Sequence, residues 1–158
     1  MRLPARGRRE PRRVRQWHAA RHYNSAVDAS LEQRIADVFR DHQDIVAVYL
    51  FGSTARGTAG ADSDVDVAVL FDASPPRALD GPRLSLEGGL ERALGRRVDL
   101  IVLNDAPVDL RIRVLRDGRV LTEQNRSARI AFEVQARNEA FDLAPVLSQY
   151  RTARDRRP

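Results

Sequence analysis

The chain has 158 residues, with 27 basic residues that are all arginine, 22 acidic residues, a formal net charge of +5 and no cysteine. That length holds one domain with a real core, and the lack of cysteine excludes disulfides, thiolate nucleophiles and thiolate-bound zinc. The longest apolar run, Ile45 to Phe51, is seven residues, too short to span a bilayer.

The positive charge is not spread evenly. Residues 1–25 carry eight arginines and one acid, and residues 151–158 carry four arginines and one acid. Residues 26–150 hold the remaining fifteen arginines against twenty acids, so the body is acidic and the tails are basic. Nucleic-acid binding is therefore expected to go no further than nonspecific contact by the tails. The expected organisation is a basic, disordered leader over 1–27, one domain over 28–152 and a basic tail over 153–158. Trp17 and Tyr23 are the aromatic exceptions in the leader. A reducing, cytoplasmic setting fits the absence of cysteine.

Ser30 is the expected N-cap of a first helix, with Leu31, Ile35, Val38 and Phe39 at helical spacing and an end near His42. Residues 45–51 form a buried strand. A Gly/Ala/Thr loop follows over 52–62, with a helical turn around Thr54–Arg56. A second strand is expected over 65–71. Ser74-Pro75-Pro76 and Gly81-Pro82 mark an irregular crossing. A helix over Leu84–Leu94 ends at Gly95. A third strand runs over Arg97–Leu103. Pro107 opens a helix through about Arg116, and Asp117-Gly118 turns into a short extended piece at 119–121. A long helix over Arg126–Phe141 is followed by a last turn or two, capped by Asp142 with Pro145 at an early position.

The chemistry concentrates in residues 51–69, FGSTARGTAGADSDVDVAV. Asp64 and Asp66 alternate with the strand period and project from one face, while Val65, Val67 and Val69 fill the other. Adjacent carboxylates repel, and a fold keeps them ionised mainly when a cation lies between them. An all-oxygen, carboxylate-poor site that leaves room for phosphates is of the Mg²⁺ type. Gly52-Ser53 offers a closely approachable backbone, an amide donor and a hydroxyl, which is what a phosphate needs. Asp99 is a charge inside an apolar strand and is costly there unless paired or metal-bound. It joins Asp64 and Asp66 if its strand lies beside 65–71; the alternative is an ion pair with a neighbour such as Arg97. His18, His22 and His42 show no ligand spacing.

An apolar residue, Gly-Ser, ten residues, Asp-x-Asp and a third aspartate on a later strand make a pattern that resembles the polymerase-beta-type nucleotidyltransferase superfamily. Gly52-Ser53-Thr54-Ala55-Arg56-Gly57 and Ser63-Asp64-Val65-Asp66 are similar to the minimal nucleotidyltransferases, the MntA-like antitoxins of HEPN/MNT toxin–antitoxin pairs. Phe141-Asp142-Leu143-Ala144-Pro145 and Tyr150-Arg151 are similar to that family's tail. The likeness covers residues 30–152; the arginine-rich leader departs from it.

The resemblance implies an α/β fold, a small mixed β-sheet with helices packed on one side and a long C-terminal helix. It implies AMP transfer from ATP to a tyrosine of a partner HEPN ribonuclease. Asp64, Asp66 and Asp99 would hold two Mg²⁺ ions, and Asp99 would help deprotonate the acceptor. Gly52, Ser53 and Arg56 would bind the nucleotide's phosphates; for Arg56 the alternative is a surface salt bridge. Ser63 belongs to the same motif and is better suited to orienting the entry to the strand. The competing functions are occlusion of a partner without chemistry, and nucleotidyl transfer to a small molecule of the aminoglycoside type.

Overall fold

The computed structural model describes residues 25–60, 62–75 and 81–154. The expectations for residues 1–24 of the leader, with Trp17 and Tyr23, and for the last residues of the basic tail lie outside this range, whereas residues 25–27, assigned to the leader, open the first helix. The elements run α1 (Ser25–Phe39), β1 (Ile45–Phe51), α2 (Gly52–Arg56), β2 (Val65–Phe71), α3 (Pro82–Leu94), β3 (Val98–Val102), a 3-10 turn (Leu103–Asp105), α4 (Val108–Asp117), β4 (Arg119–Glu123) and α5 (Arg126–Arg154).

The four strands form one mixed sheet in the order β3-β2-β1-β4. β1 is antiparallel to both β2 and β4, whereas β2 and β3 are parallel. A parallel pair needs a crossover, and α3 supplies it. Gly95, in the left-handed region at φ 65°, ends that helix and turns the chain back toward β3.

Helices cover both faces of the sheet, which corrects the expectation of one side. On the first face Ile35 and Phe39 of α1 and Leu86, Leu90 and Leu94 of α3 pack on Val48, Leu50, Val65, Val67, Val69, Val98 and Leu100. On the second, Leu110 and Val114 of α4 and Ala128 and Phe132 of α5 pack against Val46, Ala47, Tyr49, Phe51, Ala68 and Leu70. β1 is buried at every position, as a strand covered on both sides must be. A bulge between Ile45 and Ala47 sends both Val46 and Ala47 to the second face.

Other boundaries also move. α1 begins at Ser25 instead of after a Ser30 cap, and it ends at Phe39. The chain then reaches His42 through three-residue turns, Arg40 N–H to the Asp37 carbonyl and His42 N–H to the Phe39 carbonyl. α5 is unbroken through Asp142 and Pro145, where a separate final helix was expected. Its cap is Asn125, whose Oδ1 accepts the Ala128 N–H at 3.0 Å while its carbonyl accepts that of Arg129 at 3.0 Å. β4 extends to Glu123 because it pairs with Ala47–Leu50.

Side chains finish the sheet where strands stop. Asn104 Oδ1 accepts the Phe71 N–H and its Nδ2 donates to the Phe71 carbonyl, both at 2.9 Å. Asn104 thus replaces the strand that β3 no longer supplies at the end of β2. Asn104→Ala should lower stability by about 1–3 kcal/mol, because it leaves a buried amide and carbonyl unpaired; urea unfolding measures this. Arg83 Nε donates to the Leu100 carbonyl at 3.0 Å on β3.

A second buried polar network ties α5 to β1. The Tyr49 hydroxyl donates to Glu133 at 3.5 Å, and Arg129 bonds both Glu123 and Glu133. Burial, then the nearby Glu133 charge, pushes the Tyr49 phenol up to about 12. Tyr49 thus serves as a buried tie between β1 and α5.

Candidate active site

β1 ends at Phe51, directly opposite Asp66 of β2, and α2 starts at the next residue. Gly52 turns the chain there at φ 68°, a conformation that favours glycine. A Cβ on Gly52 would lie 1.8 Å from Asp66 Oδ2 and 2.5 Å from its Cγ. The glycine is thus required by a carboxylate of its own chain. The Ser53 backbone N–H also lies against Asp66, where it opposes the rise of that carboxyl. α2 stops at Gly57, and the Thr58 N–H closes the turn on the Ser53 carbonyl at 3.0 Å.

Asp99 is the register partner of Asp66 on the parallel strand β3, so the expected adjacency holds. Both strands place these residues on the second face, in line with Ala68 and Ile101. Asp99 and Asp64 are exposed and Asp66 is half-buried. Asp64 precedes β2, and Arg97 Nε lies 3.7 Å from its Oδ1. Arg97 was weighed as a partner for Asp99; it lies beside Asp64 instead.

Burial, and after it the charge of Asp99, hold the Asp66 carboxyl above its ordinary range; Asp64 pushes the same way, while the Ser53 amide and Arg56 oppose them. The three aspartates therefore share one electrostatic site. Arg56, exposed at the end of α2, also lowers Asp117 at the end of α4, where the main partner of Asp117 is Arg116. Ser63 takes part in the turn before Asp64. Its Oγ accepts the Gly60 N–H at 2.9 Å, and its own N–H donates to the Gly60 carbonyl.

Among the described residues, no three acidic, histidine or cysteine side chains already form a metal cage by themselves. The donor set is nonetheless the right one for Mg²⁺. It is all oxygen, poor in carboxylates and dependent on further ligands such as phosphate and water. The mutual repulsion that raises Asp66 is the cost that a divalent cation would relieve.

The family model described as polymerase beta, nucleotidyltransferase, matches residues 33–127, more than half of the chain and all of this site. The chain belongs to the polymerase beta nucleotidyltransferase family. Within the family it is 36% identical over 92 residues to the protein adenylyltransferase MntA of Shewanella oneidensis, a match covering 57% of this chain and 63% of that relative. It is 36% identical over 78 residues to the protein adenylyltransferase MntA of Thermococcus cleftensis, covering 49% of this chain and 76% of the relative. The match thus spans less than two thirds of the Shewanella relative's length.

The fold matches a toxin–antitoxin crystal structure with AMP-PNP at a TM-score of 0.68 and 28% identity, over 77% of this chain and 96% of the other. It matches the MntA–HepT toxin–antitoxin complex at a TM-score of 0.64 and 25% identity, over 79% and 97% of the two chains. Sequence reasoning missed Arg96 at this site and Asn104 at the opposite end of β2. Neither belongs to a motif, and each acts on the backbone of a distant segment.

Proposed function

We propose that this nucleotidyltransferase is an antitoxin that transfers AMP from ATP to a tyrosine hydroxyl of a cognate HEPN-domain ribonuclease and so silences it, in the cytoplasm. The observation that carries the reading is the seat of Asp66, pressed against Gly52 and paired in register with Asp99. The relatives' adenylyltransferase activity and the AMP-PNP bound in the matching toxin–antitoxin structure support the choice of ATP and of a protein acceptor. None of the described helices is long and apolar enough to cross a membrane.

The tyrosine oxygen attacks the α-phosphorus, the bond to the bridging oxygen breaks, and pyrophosphate leaves. Asp64, Asp66 and Asp99 are the residues that would hold two Mg²⁺ ions; bound there, Mg²⁺ supplies Lewis-acid polarisation of the phosphoryl oxygens. Asp99 takes the tyrosine proton, which is otherwise held with a pKa of about 10. The Ser53 hydroxyl and Arg56 hold the β- and γ-phosphates and offset their charge.

A second reading, neutralisation by binding alone, draws on α5. Ile130, Val134 and Phe141 fall on one stripe of that helix and are exposed, Phe141 by 81%. Intact mass spectrometry of the co-expressed HEPN protein separates the two. Wild type should add one or more AMP units, and the Asp64→Asn/Asp66→Asn double variant none. A stable, unmodified complex with both would favour occlusion.

A further inference from the structure

Arg96 stands in the turn between α3 and β3 and reaches back across the chain. One guanidinium nitrogen donates to the Ser63 carbonyl at 2.6 Å and to the Gly60 carbonyl at 3.3 Å. Those two carbonyls bracket the turn that delivers the chain to Asp64. On the far side of Asp64, the Val65 N–H donates to the Arg97 carbonyl at 2.9 Å, the first rung of the parallel ladder. Asp64 is therefore held at both ends by consecutive residues of one segment. The Ser63 carbonyl is gripped by the Arg96 side chain, and the Val65 amide by the Arg97 backbone. Arg96 accepts a cost for this, since its Nε is buried with no partner.

We propose that Arg96 is the positioning residue for Asp64, fixing that carboxylate at the spacing from Asp66 that a divalent cation requires. The inference rests on the metal reading of the three aspartates above. The need for such a splint follows from charge. Asp64 is exposed, lies outside the strand and is repelled by Asp66. Apart from the exposed Arg97 side chain, 3.7 Å from its Oδ1, what resists its drift is the backbone on either side. A displacement of about 1 Å in a reacting constellation costs on the order of 10²-fold in rate. Lysine is a poor replacement, because its ammonium is a strongly hydrated point charge on a flexible stem.

The test is Mn²⁺ binding to the full chain without nucleotide, read by electron paramagnetic resonance, together with steady-state AMP transfer. Arg96→Met keeps the apolar stem and removes both contacts. It should weaken Mn²⁺ binding about tenfold and lower kcat about 10–100-fold, with the KM for ATP within about threefold, because Ser53 and Arg56 are untouched. Arg96→Lys should fall between Arg96→Met and wild type, and it carries the test if Arg96→Met does not fold. Arg83→Met is the control, since Arg83 also bonds a backbone carbonyl from α3, away from this turn. It should cost thermal stability and leave Mn²⁺ binding unchanged.

Wild-type Mn²⁺ affinity in Arg96→Met, or equal losses in Arg96→Met and Arg83→Met, would overturn the assignment. No Mn²⁺ binding by wild type would overturn the metal reading and this assignment with it. Normal Mn²⁺ behaviour across the series without AMP transfer to the partner would leave Arg96 in this role and remove only the proposed acceptor.

Discussion

Asp66→Asn is expected to lower AMP transfer by roughly 10³-fold or more while the protein stays folded. Losing one preorganised electrostatic contact already costs about 10²–10³ in rate. Asp66 is at once the half-buried carboxylate, the neighbour of Asp99 and the group against which the Ser53 amide lies, so the asparagine disturbs all three relations. The stability result should run the other way. In the folded chain the Asp66 carboxyl is raised, by burial first and by Asp99 second. A raised value means that the folded state holds the proton more tightly than the unfolded state does. Its stabilising contribution is complete below the unfolded value of about 3.9 and is lost as pH rises through the folded value. At neutral pH the ionised group opposes folding, and asparagine removes that opposition. In a metal-free buffer at pH 7.5, the Asp66→Asn Tm should equal or exceed that of wild type, and the advantage should vanish at pH about 3.5. A variant that is inactive because it is unfolded at neutral pH would contradict the account of this site.

Gly52→Ala is expected to do comparable damage for a different reason. The added methyl carbon would lie 1.8 Å from Asp66 Oδ2, far inside contact distance, so either the carboxylate or the start of α2 must move. The backbone adds to this. At φ 68° an L-residue is strained, at about 1–3 kcal/mol. Activity should fall at least about 10²-fold, as a 1 Å displacement of a reacting group does. Stability should fall as well, unlike the effect of Asp66→Asn. The double variant Gly52→Ala/Asp66→Asn should be no less active than Asp66→Asn alone, because both act on the same carboxylate. Chemical denaturation and steady-state transfer on the four proteins of that cycle test the coupling.

β1 and β2 were legible to the residue because each is an unbroken apolar or alternating run closed by a sharp change in composition at Gly52 and Asp72. Gly52-Ser53, Asp64, Asp66 and Asp99 were legible because their residue types and spacing are unusual for a core strand. Whether Asp99 joins them depended on its strand lying beside 65–71, and the register that sets it opposite Asp66 comes from the structure. The second helical layer was misjudged, although β1 is apolar on both faces and Leu110 and Val114 recur at helical spacing. A strand of that kind demands cover on two sides. The true start of α1 was hidden because Ser30 has good capping chemistry, yet residues 25–29 contain no breaker and the helix runs through them. Arg96 and Asn104 were not legible. Each bonds the backbone of a segment roughly thirty positions away, and such a contact leaves no periodicity and no local signature. Ser63 belongs to the same motif as Asp64 and Asp66, and its oxygen closes the turn that leads into β2, in keeping with a role in orienting the entry to that strand.

The parallel pairing of β2 with β3 also makes Asp99 the most distant in sequence of the three aspartates, and contacts of that kind tend to close later in folding. β1 and β2 can meet through a short connection, bringing Gly52 against Asp66 early. β3 must wait for α3 to swing across the sheet, since non-local pairs close later. Asp99 is thus expected to join Asp64 and Asp66 last, against negative charge on the neighbouring strand. Val98, Leu100 and Val102, buried or half-buried on the first face, provide the driving force for that step. A nascent or truncated chain ending before Val98 carries the phosphate-facing motif and two aspartates but not the third. The set of three aspartates is therefore complete only where β3 has joined the sheet.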